Sequence, residues 1–328
     1  MQEQEGALHV PAQIIAVPQS VSAAAQAFLA GAARRIAALS SGDGAATNGP
    51  SQTEQAAQAT LFLRPAADRF SGTFETVELP SGALLYRATP DGRDGRKAHV
   101  VLFDIHGGAF VAGGGEMCQL LARIRAADYG VEVCAVDYRL APQHVYPAAL
   151  DDCVAAYQAV IARHAAGDIV VSGASAGGNL AAALMLRLCA EGLPLPAALM
   201  LLTPGLDMTR SGDSYRTNRY LDVTLYGGAK EGPDAYAGDH DPTDPFLSPL
   251  FGDIPADWPP TLLSSGTRDL LLSDTVRMHR LLRRAGVRAD LHVTEAGPHG
   301  GFMGQAPEDA ELICECHRFL HAAWGIAD

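Results

Sequence analysis

Gly173-Ala174-Ser175-Ala176-Gly177 sets a serine among small residues, between two contrasting segments. Before it, Asp168-Ile169-Val170-Val171-Ser172 is short and β-branched, which favours a strand. After it, Gly178-Asn179-Leu180-Ala181-Ala182-Ala183-Leu184-Met185-Leu186-Arg187-Leu188 is a strong helix former. A strand that turns sharply into a helix holds its serine in a strained conformation with Oγ exposed, and only small neighbours permit that turn. The helix start also aims backbone N–H groups at the place where a negative oxygen would develop. The chemistry indicated is attack by a serine hydroxyl on an acyl carbon. The five-residue pattern also arises by chance in ordinary glycine-rich connections, so the rest of the chain must supply its partners.

His106-Gly107-Gly108-Ala109-Phe110 follows a second apolar strand, Val100-Val101-Leu102-Phe103-Asp104-Ile105. Adjacent glycines let the backbone approach a ligand and turn two N–H groups the same way. In α/β-hydrolases, whose serine sits on such an elbow, the carboxylate and then the histidine follow it in the chain. The strand-like Thr261-Leu262-Leu263-Ser264-Ser265-Gly266 leads to Asp269, where a loop carboxylate past a strand end can reach the active face. The alternating segment 288–295 leads to Gly297-Pro298-His299-Gly300-Gly301-Phe302, a loop that can turn an imidazole toward a serine. Asp269 and His299 are therefore the expected orienter and base. Asp274 reads as an early helical position that complements a helix dipole. His292 falls inside a strand and His317 inside the terminal helix. His106 precedes the serine and is read as a loop-fixing hydrogen-bonder.

With these segments in view, the chain resembles the hormone-sensitive-lipase-like family of α/β-hydrolases, bacterial esterase family IV, from about residue 70 to the end. His106–Phe110 is similar to the family's HGGG[FW] block. Asp137-Tyr138-Arg139-Leu140-Ala141-Pro142-Gln143-His144-Val145-Tyr146-Pro147-Ala148-Ala149-Leu150-Asp151-Asp152 is similar to DYRLAPEHPYPAALDD, and residues 173–181 to GDSAGGNLA. The resemblance implies Ser175 as nucleophile, His299 as base and Asp269 as its orienter. It implies an oxyanion hole from the N–H groups of Gly107, Gly108, Ala109 and Ala176. It implies a carboxylesterase or lactonase acting through an acyl-enzyme, with no metal and no organic cofactor. Three positions depart from the pattern: Ala109 for the third glycine, Ala174 for the acid before the nucleophile, and Gln143 for a glutamate. The last two are expected to remove charge near the active-site layer. Residues 266–274, with 236–241, look closer to the branch that includes monoterpene ε-lactone hydrolase. Amide or carbamate hydrolysis and acyl transfer would use the same residues. A non-catalytic receptor, as among plant gibberellin receptors that lack the histidine, is disfavoured by His299.

The elements that must position these residues alternate. Strands are expected at 98–105, 131–137, 168–173, 197–203, 261–266 and 288–295. Helices are expected at 116–128, 148–165, 177–191, 273–285 and 307–324. A strand pair at 73–79 and 83–88 precedes them. This order predicts a mostly parallel central sheet flanked by helices, an α/β-hydrolase fold. A helix over 18–40, with Val21, Phe28, Ile36 and Leu39 on one stripe, and a polar, Tyr-rich insertion near 205–250 are expected to cap the site. Residues 41–59, rich in Gly, Ser, Ala and Gln, read as a loop. The motifs span the chain, so one catalytic domain is expected over 1–328, with cap elements at about 1–59 and 205–250.

Of the 328 residues, 48% are hydrophobic, ample for a core, and the net charge of −13 argues against nucleic acid or anionic membrane as partner. The expected partner is a small ester or lactone, and a homodimer is left open. Six scattered cysteines, including Cys314-x-Cys316, lack metal-site spacing and read as free thiols. The N-terminus is acidic, unlike a signal peptide, and no apolar run reaches membrane-spanning length. A cytoplasmic location is the expectation.

Overall fold

A computed structural model describes residue 12 and residues 14–40, 52–228 and 231–326. One sheet holds β1 (Gly72–Glu78), β2 (Leu84–Pro90), β3 (Val101–Ile105), β4 (Glu132–Asp137), β5 (Ile169–Ala174), β6 (Ala198–Leu202), β7 (Thr261–Gly266) and β8 (Ala289–Thr294). Their spatial order is β1-β2-β4-β3-β5-β6-β7-β8. β2 runs antiparallel to both β1 and β4, and the pairs from β4 to β8 are parallel. This is the α/β-hydrolase fold that the alternation predicts.

The helices are α1 (Ala23–Ser40), α2 (Gln52–Ala67), α3 (Glu116–Tyr129), α4 (Ala148–Ile161), α5 (Ala176–Glu191), α6 (Ser214–Thr217), α7 (Glu231–Ala237), α8 (Leu272–Arg284) and α9 (Pro307–Ala323). Alternate side chains of the central strands feed two cores. Val101, Phe103 and Ile105 pack with Leu150 of α4, Leu180 and Leu184 of α5, and Met278 of α8. On the other face, Leu102, Val133 and Val170 pack with Ala122 of α3 and Phe319 of α9. A strand covered on both faces favours apolar residues throughout; β3 is buried from end to end and is apolar except for Asp104, whose carboxylate pairs with Arg125 at 2.9 Å. Because β3, β5, β7 and β8 are parallel, their C-terminal ends share one edge of the sheet. His106, Ser175, Asp269 and His299 all follow those ends.

Two sequence expectations change. Residues 52–59, read as loop, form the first half of α2, while 41–51 lie outside the described residues. The segment is rich in Ala, Gln and Glu, so its intrinsic helix propensity outweighs the absence of an apolar stripe. The helix expected over 18–40 starts at Ala23, because Ser22 caps it: Ser22 Oγ accepts the Ala25 N–H at 3.1 Å. Its buried stripe is Ala25, Leu29 and Ala32, and the side chain of Leu39 lies outside the described residues. α1 packs on Phe302 in the loop that carries His299, and meets the 205–250 insertion at Val223. Among the described residues no helix is long and apolar enough to cross a membrane.

Candidate active site

The elbow between β5 and α5 is built by close approach. A Cβ on Gly173 would stand 2.1 Å from the Gly177 carbonyl oxygen, and one on Gly177 2.1 Å from the Ile105 carbonyl oxygen. Only glycine fits at either position. Ser175 itself has φ 55° and ψ −117°, a conformation that side chains other than glycine rarely adopt. The Ser175 N–H donates to the Leu202 carbonyl at 2.9 Å, which ties the strained residue to β6.

The predicted partners converge on it. His299 Nε2 lies 2.9 Å from Ser175 Oγ, and His299 Nδ1 lies 3.1 Å from Asp269 Oδ1. Asp269 is fully buried, and its carboxylate also accepts the Ser265 hydroxyl at 2.8 Å and the Leu271 N–H at 2.9 Å. Burial alone would lower the imidazole pKa. The charge and hydrogen bond of Asp269, with the charge of Asp222, outweigh it and raise His299 above its ordinary value. Such a line of hydroxyl, imidazole and carboxylate can remove the hydroxyl proton as an acyl carbon is attacked.

Gly107 packs against the serine: a Cβ there would be 3.3 Å from Ser175 Cβ. Among the described residues, the N–H groups of Gly107, Gly108 and Ala109 donate to no protein acceptor. The Ala176 N–H is the first of α5, where no intrahelical partner exists. Of these, Ala109 and Ala176 line a pocket, partly open to solvent, with about 490 Å³ of free space, walled mainly by Ala109, Phe110, Met208, Leu225, Pro233 and Leu271. Ala109 keeps its N–H, and its methyl projects at φ 52° beneath α7 of the insertion, facing Gly232.

The rival residues lie elsewhere. His106 is buried beneath the loop, with Nδ1–H donating to the Gly107 carbonyl at 2.7 Å and its ring stacked on Tyr138 at 4.2 Å. His292 lies in β8, and His317 lies in α9 against Tyr129. Asp274 occupies the first turn of α8, as expected, and accepts the Leu206 and Asp207 N–H groups at 2.7 and 3.2 Å. It therefore anchors the start of the insertion. Gln143 is exposed on a turn. Ala174 lines a separate cavity on the far side of the elbow, bounded by Thr203, Ser265 and Pro298.

Asp222 and Asn218 escape sequence reasoning. Both lie in the insertion, where no periodicity marks them. Asp222 is fully buried and accepts the Leu270 N–H at 2.8 Å, the Thr224 and Leu225 N–H groups at 2.9 and 3.0 Å, and the His299 N–H at 3.3 Å. Asn218 Nδ2 donates to the Asp269 carbonyl at 2.8 Å and the Thr267 carbonyl at 3.2 Å. One cap segment thus holds the loops of both the carboxylate and the imidazole. The only sequence signal is a carboxylate and a carboxamide in an otherwise unpatterned segment.

Asp222→Asn points an amide at one of these N–H donors and removes a charge that raises His299. The expected result is a kcat lower by roughly 10- to 100-fold, from misplacement of the base, with KM little changed. The acid limb of kcat/KM should move to lower pH, because a neutral imidazole then persists further down. In the parent that limb is expected above the ordinary histidine value, with activity lost as pH falls through it. A pH–rate profile of the variant that coincides with the parent's would remove Asp222 from this role.

Comparison with known proteins bears on the family and the fold. Residues 102–303 match a family described as having the alpha/beta hydrolase fold. The chain is 36% identical to an esterase of Acinetobacter venetianus over 245 residues, 73% of this chain and 80% of the relative. It is 32% identical to an ethyl acetate hydrolase of Pseudomonas putida over 249 residues, 70% of this chain and 76% of the relative. The crystal structure of an esterase from the bacterial hormone-sensitive lipase family superposes with a TM-score of 0.77, at 27% identity, over 94% of this chain and 100% of its own. An elbow serine in contact with a carboxylate-paired histidine, on a chain that shares these relatives' sequence and fold, belongs to the hormone-sensitive-lipase-like family of α/β-hydrolases and is a carboxylesterase.

Proposed function

We propose that the protein hydrolyses compact carboxylic esters, small lactones included, through an acyl-enzyme on Ser175. The observation that carries this is the 2.9 Å contact between Ser175 Oγ and His299 Nε2, backed by the buried Asp269. His299 takes the Ser175 proton as Oγ bonds to the carbonyl carbon. The oxyanion accepts hydrogen bonds from the N–H groups of Gly107, Gly108, Ala109 and Ala176. His299 then gives its proton to the departing alkoxide, which leaves as the alcohol. Water, deprotonated by His299, attacks the acyl-enzyme and releases the acid. In a lactone the alcohol and acid are ends of one product. Each oxyanion donor lost typically costs ~100–1000-fold.

The pocket's size and walls support short or medium acyl groups. The Ala109 methyl narrows the pocket beside the donors. The name of the Pseudomonas putida relative, an ethyl acetate hydrolase, points the same way. The likeness of residues 266–274 to a lactone-hydrolase branch adds small cyclic esters to the range. A series of p-nitrophenyl esters beside small- and medium-ring lactones tests the reading. The expected kcat/KM peaks at short chains, with no jump in rate above the substrate's solubility limit. Ala109→Gly should shift the optimum to longer chains and relieve a left-handed alanine, worth about 1 kcal/mol of stability. A peak at sixteen carbons would show instead that the insertion is a lipase lid.

A further inference from the structure

One convergence of side chains lies behind the oxyanion loop and takes no part in the reaction. His106 follows β3, Cys118 lies in the first turn of α3, and Asp137 ends β4. A ring nitrogen of His106, Sγ of Cys118 and a carboxylate oxygen of Asp137 lie within 4.8 Å of one another. His106 is 2% exposed, and the bond from Nδ1–H to the Gly107 carbonyl leaves Nε2 as a lone pair. Among the described residues that nitrogen has no hydrogen-bond partner. A buried polar atom left unpaired costs about 1–3 kcal/mol. Asp137 Oδ2 accepts the Tyr86 hydroxyl at 2.9 Å and the Gly115 N–H at 3.0 Å, and Oδ1 carries neither bond. The Cys118 thiol makes one long contact, 3.7 Å to the Val136 carbonyl.

Glycine backbone packs over the Nδ1 edge of His106, away from Nε2, and over Asp137. A Cβ on Gly113 would stand 2.6 Å from His106 Nδ1, and one on Gly114 2.6 Å from Asp137 Oδ1. Gly115 is exposed and Asp137 half-buried, so a solvated ion has a short way in. One nitrogen, one sulfur and one oxygen donor suit a borderline-soft divalent cation. The second imidazole nitrogen resting on a backbone carbonyl is the usual outer support of a metal-bound histidine. Bonds of ~2.0–2.3 Å to a tetrahedral centre need donors roughly 3.3–3.8 Å apart, so the donor pairs must close by up to about 1.5 Å.

We propose that His106, Cys118 and Asp137 bind a thiophilic divalent cation of the Zn²⁺ class, with water in the fourth position, and that the bound ion inhibits hydrolysis. On binding, the Cys118 thiol releases its proton to bulk water and the metal–sulfur bond forms. Closure draws on His106, whose neighbour Gly107 then shifts against Ser175. The inhibition rests on the oxyanion role proposed for Gly107, and the binding does not.

Cd²⁺ is the probe, because its bond to a thiolate gives an ultraviolet charge-transfer band. The full chain is used with Cys314→Ser as background, since that thiol is exposed. One equivalent of Cd²⁺ should saturate the band, and Cd²⁺ or Zn²⁺ should lower kcat at least ~10-fold with KM unchanged, reversibly with a chelator. Cys118→Ser should abolish both effects while keeping basal hydrolysis. Asp137→Asn, which keeps an acceptor for Tyr86 and Gly115, should weaken Cd²⁺ binding ~10- to 100-fold, and it reports on the site if Cys118→Ser does not fold. A band that survives Cys118→Ser, or no band at millimolar Cd²⁺, overturns the site. A Cys118-dependent band without inhibition overturns the coupling to the oxyanion loop alone.

Discussion

Ser175→Ala is expected to lower kcat by about 10⁶-fold, the loss seen when a serine hydrolase is deprived of its nucleophile. The variant should keep its fold. Serine already sits at φ 55° in the elbow, and alanine meets the same backbone cost there. Among the described residues the side chain's only hydrogen bond is to His299, so no buried partner is stranded except an imidazole still held by Asp269. Substrate binding should survive, and covalent labelling by a fluorophosphonate should vanish. A variant with parental kcat would mean that another residue attacks the ester.

Asp269→Asn should lower kcat by about 10⁴-fold, because an amide beside Nδ1 favours the wrong imidazole tautomer. Asp274→Asn is the control. Burial raises the Asp274 pKa to about 7, against the partial opposition of the Leu206 N–H and the Tyr215 hydroxyl. Among the described residues its Oδ1 has no hydrogen-bond partner, as suits the oxygen that carries a proton. Asparagine imitates that protonated form and should change kcat by less than ~10-fold. The sign of the stability effect follows from the raised pKa. Between about pH 4, the unfolded carboxyl value, and about pH 7 the folded state holds more protons than the unfolded one. This group's contribution therefore falls as pH rises through that window. Melting temperatures of Asp274→Asn and the parent, measured across it, should show the variant gaining on the parent toward neutral pH. A kcat loss for Asp274→Asn larger than that for Asp269→Asn would reverse the two assignments.

The sheet and the line from Ser175 to Asp269 were legible because each depends on short-range pattern. β-branched runs, glycines forced by close approach and a histidine in a Gly/Pro loop all leave marks in the sequence. The order of serine, carboxylate and histidine then selected Asp269 and His299 from their rivals. α2 was hidden because Gln- and Ala-rich sequence reads as linker by composition, although its residues are good helix formers. Asp222 and Asn218 were hidden for a different reason. Their partners are backbone groups of residues 267–270 and 299, and backbone groups have no sequence identity. The cluster of His106, Cys118 and Asp137 was equally invisible, since only the stacking of β3, β4 and α3 makes neighbours of them.

The tie between the insertion and the loops that carry Asp269 and His299 has a consequence for engineering. Caps on this fold invite exchange, since the pocket walls Met208, Leu225 and Pro233 all come from the insertion. Here a wholesale graft would also remove the acceptor of the His299 N–H and the donor to the Asp269 carbonyl. A chimera that ignores them would bind its new substrate and turn it over poorly. Grafts that keep Asn218 and Asp222, and vary only 205–212 and 223–238, separate the choice of substrate from the mounting of the machinery.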